Sequence, residues 1–133
     1  MTTKTVSGAF EVKMTAEPPF SDVEGVKLAR ARFDKRFTGP LEGTSEVHMM
    51  SVTTPDPKAR AYVAVERLTG SLEGRTGTFA LLHLATMGPT GPSLRLEVAP
   101  GSGTGALAGI SGTMQIRIEA GGAHFYDFSY ALG

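Results

Sequence analysis

Apolar and polar residues alternate with a period of two in several stretches of the chain. In the first stretch, one set of alternate positions is apolar and the other is polar: Val6, Phe10, Val12 and Met14 against Ser7, Glu11 and Lys13. The stretches 93–99 and 113–119 show the same alternation. Because successive side chains of a β-strand point to opposite faces, each stretch predicts a strand with one buried and one solvent-exposed face.

Four further stretches, 44–52, 59–68, 77–87 and 123–131, are rich in β-branched and aromatic residues but carry apolar side chains at both sets of positions. Strands with this composition are typically covered on both faces. We therefore expect a core on the inner face and a subunit contact on the outer face, which makes a homo-oligomer an expectation.

The stretch 21–37 fits two patterns. Apolar residues recur at helical spacing along 26–37, whereas 26–30 alternates like a strand. Gly25 would weaken the first turn of a helix, and a strand here brings the number of predicted strands to eight, an even number that suits a closed up-and-down sheet. We therefore predict a strand.

Eight strands in 133 residues leave little room for helices. The predicted fold is all-β, with a single domain over residues 1–133 that forms an eight-stranded antiparallel up-and-down barrel. Such a barrel has no free edge strands and encloses either packed side chains or one small ligand. A flat sandwich is the alternative.

One phrase occurs three times: TGPLEG at 38–43, TGSLEG at 69–74 and TGALAG at 104–109. The phrases lie in alternate hairpins of the predicted barrel, which places all three at one rim. Leu41, Leu72 and Leu107 would then meet as a plug. Three similar hairpins with only local contacts remain the alternative.

The connections at the opposite rim include a long loop before residue 26 and two loops with two prolines each, TTPDPK and MGPTGP. Because loops around a rigid barrel commonly carry binding specificity, we expect a ligand to enter there. The residues predicted to contact it are Met14, Met50, Tyr62, Met87 and His124. Methionines that merely fill gaps in the core are the alternative.

Composition excludes several classes of function. Thirteen basic residues balance thirteen acidic residues without a long charged run, which argues against a nucleic-acid partner. Cysteine is absent, and no apolar stretch has the length of a signal peptide or a membrane span. We expect a soluble cytoplasmic protein with no membrane partner.

Ionisable residues interrupt two apolar runs, Glu66 in VAVERL and His83 in FALLHLA. Because their strands are hairpin neighbours, the two side chains are predicted to pair inside the barrel, with Arg30 or Arg32 as counter-charge. The catalytic candidates are Glu66, His83 and Tyr126. A structural hydrogen bond between Glu66 and His83 is the alternative.

No spacing of the three histidines supports a metal site, and no cofactor is expected. The glycine-rich segment 100–109 lacks the Gly-Lys-Ser/Thr ending of a phosphate-binding loop, so it predicts a turn. No Gly-x-Ser-x-Gly motif indicates a serine hydrolase.

The segments FTGPLEG, ERLTGSLEGRTGTFALLH, PGSGTGALAGISG and HFYDFSYAL resemble a bacterial domain family of unknown function, related in fold to the allene oxide cyclase-like barrel. The resemblance covers about residues 9–132. It implies a small eight-stranded antiparallel barrel, often oligomeric, with no settled activity. Relatives of that fold include cyclases that shape a reactive lipid epoxide in an apolar cavity, but their catalytic residues have no matching motif here.

Three hypotheses follow. The first is a barrel that binds a small apolar or amphipathic molecule in its cavity. The second is a cofactor-free cyclase or isomerase that uses the same cavity. The third is a structural or assembly module whose barrel is filled with side chains. An internal cavity would favour the first two.

Overall fold

The computed structural model describes residues 2–133 and consists of nine β-strands and one turn of 3-10 helix, with no α-helix in this range. The helical turn, Gly105–Leu107, lies between β7 and β8. The strands are β1 (Lys4–Ala16), β2 (Ser21–Val23), β3 (Val26–Thr38), β4 (Leu41–Thr53), β5 (Arg60–Leu72), β6 (Arg75–Gly88), β7 (Gly91–Val98), β8 (Ser111–Ile118) and β9 (His124–Ala131).

Eight of these strands close into a barrel. From β3 to β9 each strand pairs with the next in an antiparallel manner, and β1 pairs with both β9 and β3. The short strand β2 pairs only with β3 and lies outside the ring. The predicted all-β, eight-stranded up-and-down barrel is therefore confirmed, and the flat sandwich is wrong because the sheet has no open edge in the ring.

The ambiguous stretch 21–37 is extended, as predicted. It contains a hairpin in which β2 and β3 are joined by Glu24 and Gly25, with φ angles of 52° and 84°. Two successive positive φ values belong to the tight turn that suits the twist of a hairpin, and glycine adopts them at little cost. The Gly25 N–H donates to Asp22 Oδ1 at 3.0 Å. The strand β2 lies where the sequence predicts a long loop.

All three repeated phrases lie at one end of the barrel, which we call the closed end. Leu41 pairs with Leu72 across β4 and β5, and the Glu73 N–H donates to the Pro40 carbonyl at 2.8 Å. The Thr104 N–H reaches the Thr78 carbonyl at the same distance. Leu41, Leu72 and Leu107 are each 0% exposed and belong to one apolar cluster. The predicted plug is confirmed.

Aromatic side chains fill the barrel above this plug. The rings of Phe79 and Phe128 stack with centroids 5.6 Å apart, and Phe37 meets Tyr126 edge to face at 5.7 Å. All four side chains are almost fully buried. The closed half of the barrel is consequently a packed core, of the kind that gives a small domain most of its stability.

The opposite end, which we call the open end, is framed by the connections at 17–20, 54–59, 89–90 and 119–123. Inward-facing side chains become progressively more exposed toward it: along β1, Phe10 is 6% exposed, Val12 37% and Met14 55%. The barrel interior is therefore packed at one end and accessible at the other.

Candidate functional site

The open half of the barrel contains two adjoining cavities. The inner cavity, of about 340 Å³, is lined by inward-facing side chains from all eight strands of the ring. The mouth cavity, of about 430 Å³, lies between it and the open end. Met49, Tyr62 and Leu94 line both cavities, so the two form one path from the open end to the middle of the barrel.

A buried carboxylate lies beneath the inner cavity. Glu66 on β5 has a fully buried side chain and accepts three hydrogen bonds. Ser45 Oγ donates to Oε2 at 2.6 Å, while His83 Nε2 and Lys35 Nζ lie 2.7 and 3.3 Å from Oε1. We call these four residues the Glu66 cluster.

The Glu66 cluster keeps its carboxylate charged. Burial is the strongest influence and raises the pKa of Glu66, because it disfavours the charged form. The pKa is lowered by the hydrogen bond from His83, the charge of Lys35 and the hydrogen bond from Ser45. Their combined effect exceeds that of burial, so the pKa of Glu66 lies below its usual value. Glu66 therefore remains ionised at neutral pH.

The structure brings Glu66 and His83 together inside the barrel, as the sequence predicts. Glu66 pairs with Leu81 and Ala64 with His83, so Glu66 and His83 are diagonal neighbours on the inner face of β5 and β6. No bulge shifts one side chain to the outer face. The contact itself is confirmed, whereas its role as a catalytic pair stays a prediction.

The counter-charge to Glu66 is Lys35, and the expectation of Arg30 or Arg32 is wrong. Arg30 is exposed and lies over the ring of Phe20 at 5.2 Å, and Arg32 forms an exposed ion pair with Asp34 at 2.9 Å. In β3 the even-numbered positions face outward here, so both arginines share the outer face. Phe37 is buried, and a strand period of two from Phe37 would have placed Lys35 on the inner face as well.

Tyr62 links the Glu66 cluster to the cavities. Its hydroxyl lies 3.5 Å from His83 Nδ1. The ionised Glu66 can only accept, so His83 Nε2 carries the proton of the hydrogen bond between them. In a neutral His83 the other ring nitrogen, Nδ1, is then unprotonated and accepts a hydrogen bond from Tyr62. Burial, and then the charge of Glu66, raise the pKa of Tyr62, so its hydroxyl stays protonated. The chain Tyr62–His83–Glu66 thus runs from the cavity down to the buried carboxylate.

The third catalytic candidate, Tyr126, lies elsewhere. Its side chain is fully buried at the closed end, where its hydroxyl accepts from the Leu41 N–H at 3.0 Å. The same hydroxyl is within donating distance of the carbonyls of Thr38, at 3.0 Å, and Leu41, at 3.1 Å. Tyr126 lines neither cavity, and these contacts fix the turn of the first repeated phrase.

The predicted ligand contacts divide between the two faces of the sheet. Tyr62 and His124 line the inner cavity, and Met14, Met87 and Tyr62 line the mouth cavity. Met50 was expected among them but lies on the outer face and is 47% exposed. Met49 takes the inward position because β4 alternates without interruption from Leu41 onward.

Glu46 and His48, which also interrupt an apolar pattern, face outward on β4. His48 Nε2 and Glu46 Oε2 lie 3.3 Å apart on an exposed surface. Within residues 2–133, no three His, Cys, Asp or Glu side chains are grouped closely enough to hold a metal ion. The same range includes no helix with the length and apolar character needed to cross a membrane.

Comparison with known proteins identifies relatives along almost the whole chain. The family model described as "Protein of unknown function (DUF3224)" matches residues 6–130. A crystal structure of a protein of unknown function from this family, from Shewanella oneidensis MR-1, is 43% identical, covers 99% of each chain and superposes with a TM-score of 0.93. A search of curated proteins gave no match. The resemblance to a bacterial family of unknown function is thereby confirmed, and the chain belongs to the DUF3224 family.

Proposed function

We propose that this protein binds a small apolar or amphipathic molecule inside the barrel. The observation that carries the proposal is the half-filled interior, with a packed closed end and cavities of about 340 and 430 Å³ toward the open end. Small-molecule sites commonly have volumes of about 300–1,000 Å³, mostly apolar walls and a few polar groups. The ligand enters at the open end, since the leucine plug blocks the other.

The cavities weigh against the third hypothesis, a barrel filled with side chains. A barrel that served only as a structural module would gain stability from packing this volume, because each unfilled space sacrifices dispersion contacts. Val12 and Met14 instead remain 37% and 55% exposed although they face inward. A ligand that covered them would recover the apolar burial that the chain alone does not achieve.

Methionine methyl groups provide the test of binding. The chain has six methionines, of which Met14, Met49 and Met87 line the cavities while Met50 faces outward. Titration of protein carrying ¹³C-methyl methionine with 1-octanol should shift the three cavity signals. Met50, adjacent in sequence to Met49, is the internal control and should not move. Shifts of Met50 alone, or of no methionine with any apolar probe, would contradict the proposal.

A second candidate function is a cofactor-free cyclase or isomerase, in line with the resemblance to the allene oxide cyclase-like fold. The Tyr62–His83–Glu66 chain favours it. When a substrate carbonyl accepts the Tyr62 hydroxyl, Nδ1 of His83 is left able to take a proton from the neighbouring carbon, and ionised Glu66 stabilises the resulting imidazolium. The imidazolium then returns the proton from Nδ1 to a carbon of the bound substrate, while Tyr62 keeps its own proton, so no net proton is consumed.

Deuterium exchange tests this second candidate. The protein should catalyse incorporation of deuterium next to the carbonyl of 2-octanone in D₂O, and His83→Gln should abolish it while 2-octanone still shifts the Met49 signal. Exchange that persists in His83→Gln, or no exchange in the unaltered protein despite binding, would rule out this acid–base role.

A further inference from the structure

The charged side chains that line the two cavities are all basic. Lys35 lines the inner cavity together with His83 and His124, and Arg60 lines the mouth cavity. Among the described residues, no aspartate or glutamate lines either cavity. The chain as a whole has equal numbers of acidic and basic residues, so the excess of basic side chains is specific to the cavity walls.

The acidic side chain of Glu66 lies close to the inner cavity, but its carboxylate is already engaged by other residues. Its side chain is fully buried, and both carboxylate oxygens already accept hydrogen bonds from Ser45, His83 and Lys35. A cationic ligand would therefore find no accessible carboxylate at this level of the barrel. An anion, by contrast, could accept hydrogen bonds from the Lys35 ammonium and the Tyr62 hydroxyl, which both line the inner cavity.

Lys35 has donor capacity that its described neighbours leave unused. Its ammonium carries three N–H groups, and its hydrogen bond to Glu66 accounts for one. The ammonium also lies over two aromatic rings, those of Phe10 and Phe37, whose centroids are 5.0 and 5.9 Å from Nζ. An aromatic face stabilises a cation but is a weaker partner than a charged oxygen. An anionic acceptor in the inner cavity would complete the coordination of Lys35.

We propose, on the basis of the binding function above, that the ligand is an amphipathic anion. Its carboxylate or similar head group lies on the floor of the inner cavity beside Lys35 and Tyr62, and its apolar tail points toward the mouth cavity.

Lys35 and Glu66 together carry no net charge, so an anionic head group in the apolar barrel needs hydrogen bonds in addition to the charge of Lys35. Tyr62 lies beside His83 and lines the same cavity as Lys35. Its hydroxyl can turn away from His83 Nδ1 and donate to the head group.

A pair of probes with the same tail tests the proposal: octanoate and 1-octanol, titrated against methionine-labelled protein. Octanoate should bind at least about tenfold more tightly, the ratio typical of one charge-assisted hydrogen bond. Octanoate that binds no more tightly than 1-octanol overturns the proposal while leaving the binding function intact.

Two matched variants locate the head group. Lys35→Met should remove the preference for octanoate, whereas Arg60→Met, which deletes the same charge at the mouth cavity, should leave it within about twofold. The reverse result would place the head group at the mouth and contradict the proposal. If Lys35→Met does not fold, Tyr62→Phe keeps the ring and should still lower octanoate affinity severalfold.

Discussion

Glu66 is a charged residue in the middle of an apolar barrel, and its three donors explain how the fold tolerates it. An isolated buried carboxylate would become protonated rather than remain charged. Ser45, His83 and Lys35 instead stabilise the charge from three other strands. The cluster therefore ties β3, β4, β5 and β6 together, and removal of its centre should affect stability as well as any chemistry.

Glu66→Gln should destabilise the protein by about 3 kcal/mol at neutral pH, because it leaves the buried Lys35 without its counter-charge. The pKa of Glu66 is lower in the folded than in the unfolded chain, so its contribution is full above the unfolded pKa of about 4.3 and is lost as pH falls through the folded pKa. The difference from the unaltered protein should therefore shrink in acid.

Urea unfolding at neutral and acidic pH measures both effects. Glu97→Gln is the matched control, because Glu97 has a half-exposed side chain on the outer face of β7 and only a long contact of 3.7 Å with Arg95. That variant should change stability little. An equal loss in the two variants would show that the Glu66 cluster contributes nothing specific to folding.

At the scale of the strands, alternation predicted most faces correctly. The inward sets of β1, β7 and β8 agree with the period of two, and the stretch 26–37 became a strand because Gly25 formed a turn rather than the start of a helix. The exception is the pair of adjacent methionines on β4, where the residue predicted to face inward lies on the outer face. Met49 and Met50 are chemically identical, so only an uninterrupted count from the buried Leu41 assigns their faces.

Close approach of β4 and β5 near the closed end depends on two paired glycines, Gly43 and Gly70. A Cβ at Gly70 would lie 2.1 Å from the Glu42 carbonyl oxygen and 2.7 Å from the Gly43 Cα. Both are backbone atoms that cannot move aside without separating the strands. The glycines of the repeated phrases therefore serve packing between strands in addition to turn formation.

Gly70→Ala should lower stability by about 2 kcal/mol or more, since overpacking against backbone forces the strands apart. Gly88→Ala is the control: it makes the same change in β6, where an added Cβ meets nothing within 4 Å. Thermal unfolding of the two variants compares them directly. A melting temperature for Gly70→Ala equal to that of Gly88→Ala would contradict the role assigned to this contact.

At the scale of the whole molecule, the barrel presents an apolar outer face as well as an apolar cavity. Met50, Val63 and Leu84 are cross-strand neighbours on β4, β5 and β6, and they are 47%, 52% and 46% exposed. Val65 and Leu82 extend the patch along the same strands. Contiguous apolar surfaces of this kind commonly mark interfaces, so the expected homo-oligomer remains a proposal and this patch is its predicted contact.

Sedimentation equilibrium should give a mass above the 14.0 kDa of one chain. Val63→Lys, in the centre of the patch, should shift the equilibrium toward the single chain because it places like charges in a desolvated contact. Thr69→Lys is the control, because Thr69 lies on the same outer face of β5 but nearer the closed end. This variant should leave the measured mass unchanged. A mass of one chain for the unaltered protein would make the homo-oligomer wrong.

The sequence by itself determined the eight strands of the ring, the closed up-and-down barrel and the end at which the repeated leucines meet. These features depend on local periodicity and turn residues, which each segment carries within itself. It also indicated that Glu66 and His83 pair, because hairpin neighbours are adjacent in space whatever the rest of the chain does.

Only the tertiary structure decided that Lys35 completes this pair, that Tyr62 rather than Tyr126 connects it to the interior, and that the open half of the barrel contains two cavities. Lys35 reaches Glu66 across an intervening strand, so its contact depends on how far the closed sheet curves. Whether side chains fill a barrel depends on the volumes that all eight strands contribute at each level. Neither property belongs to any single segment of the chain.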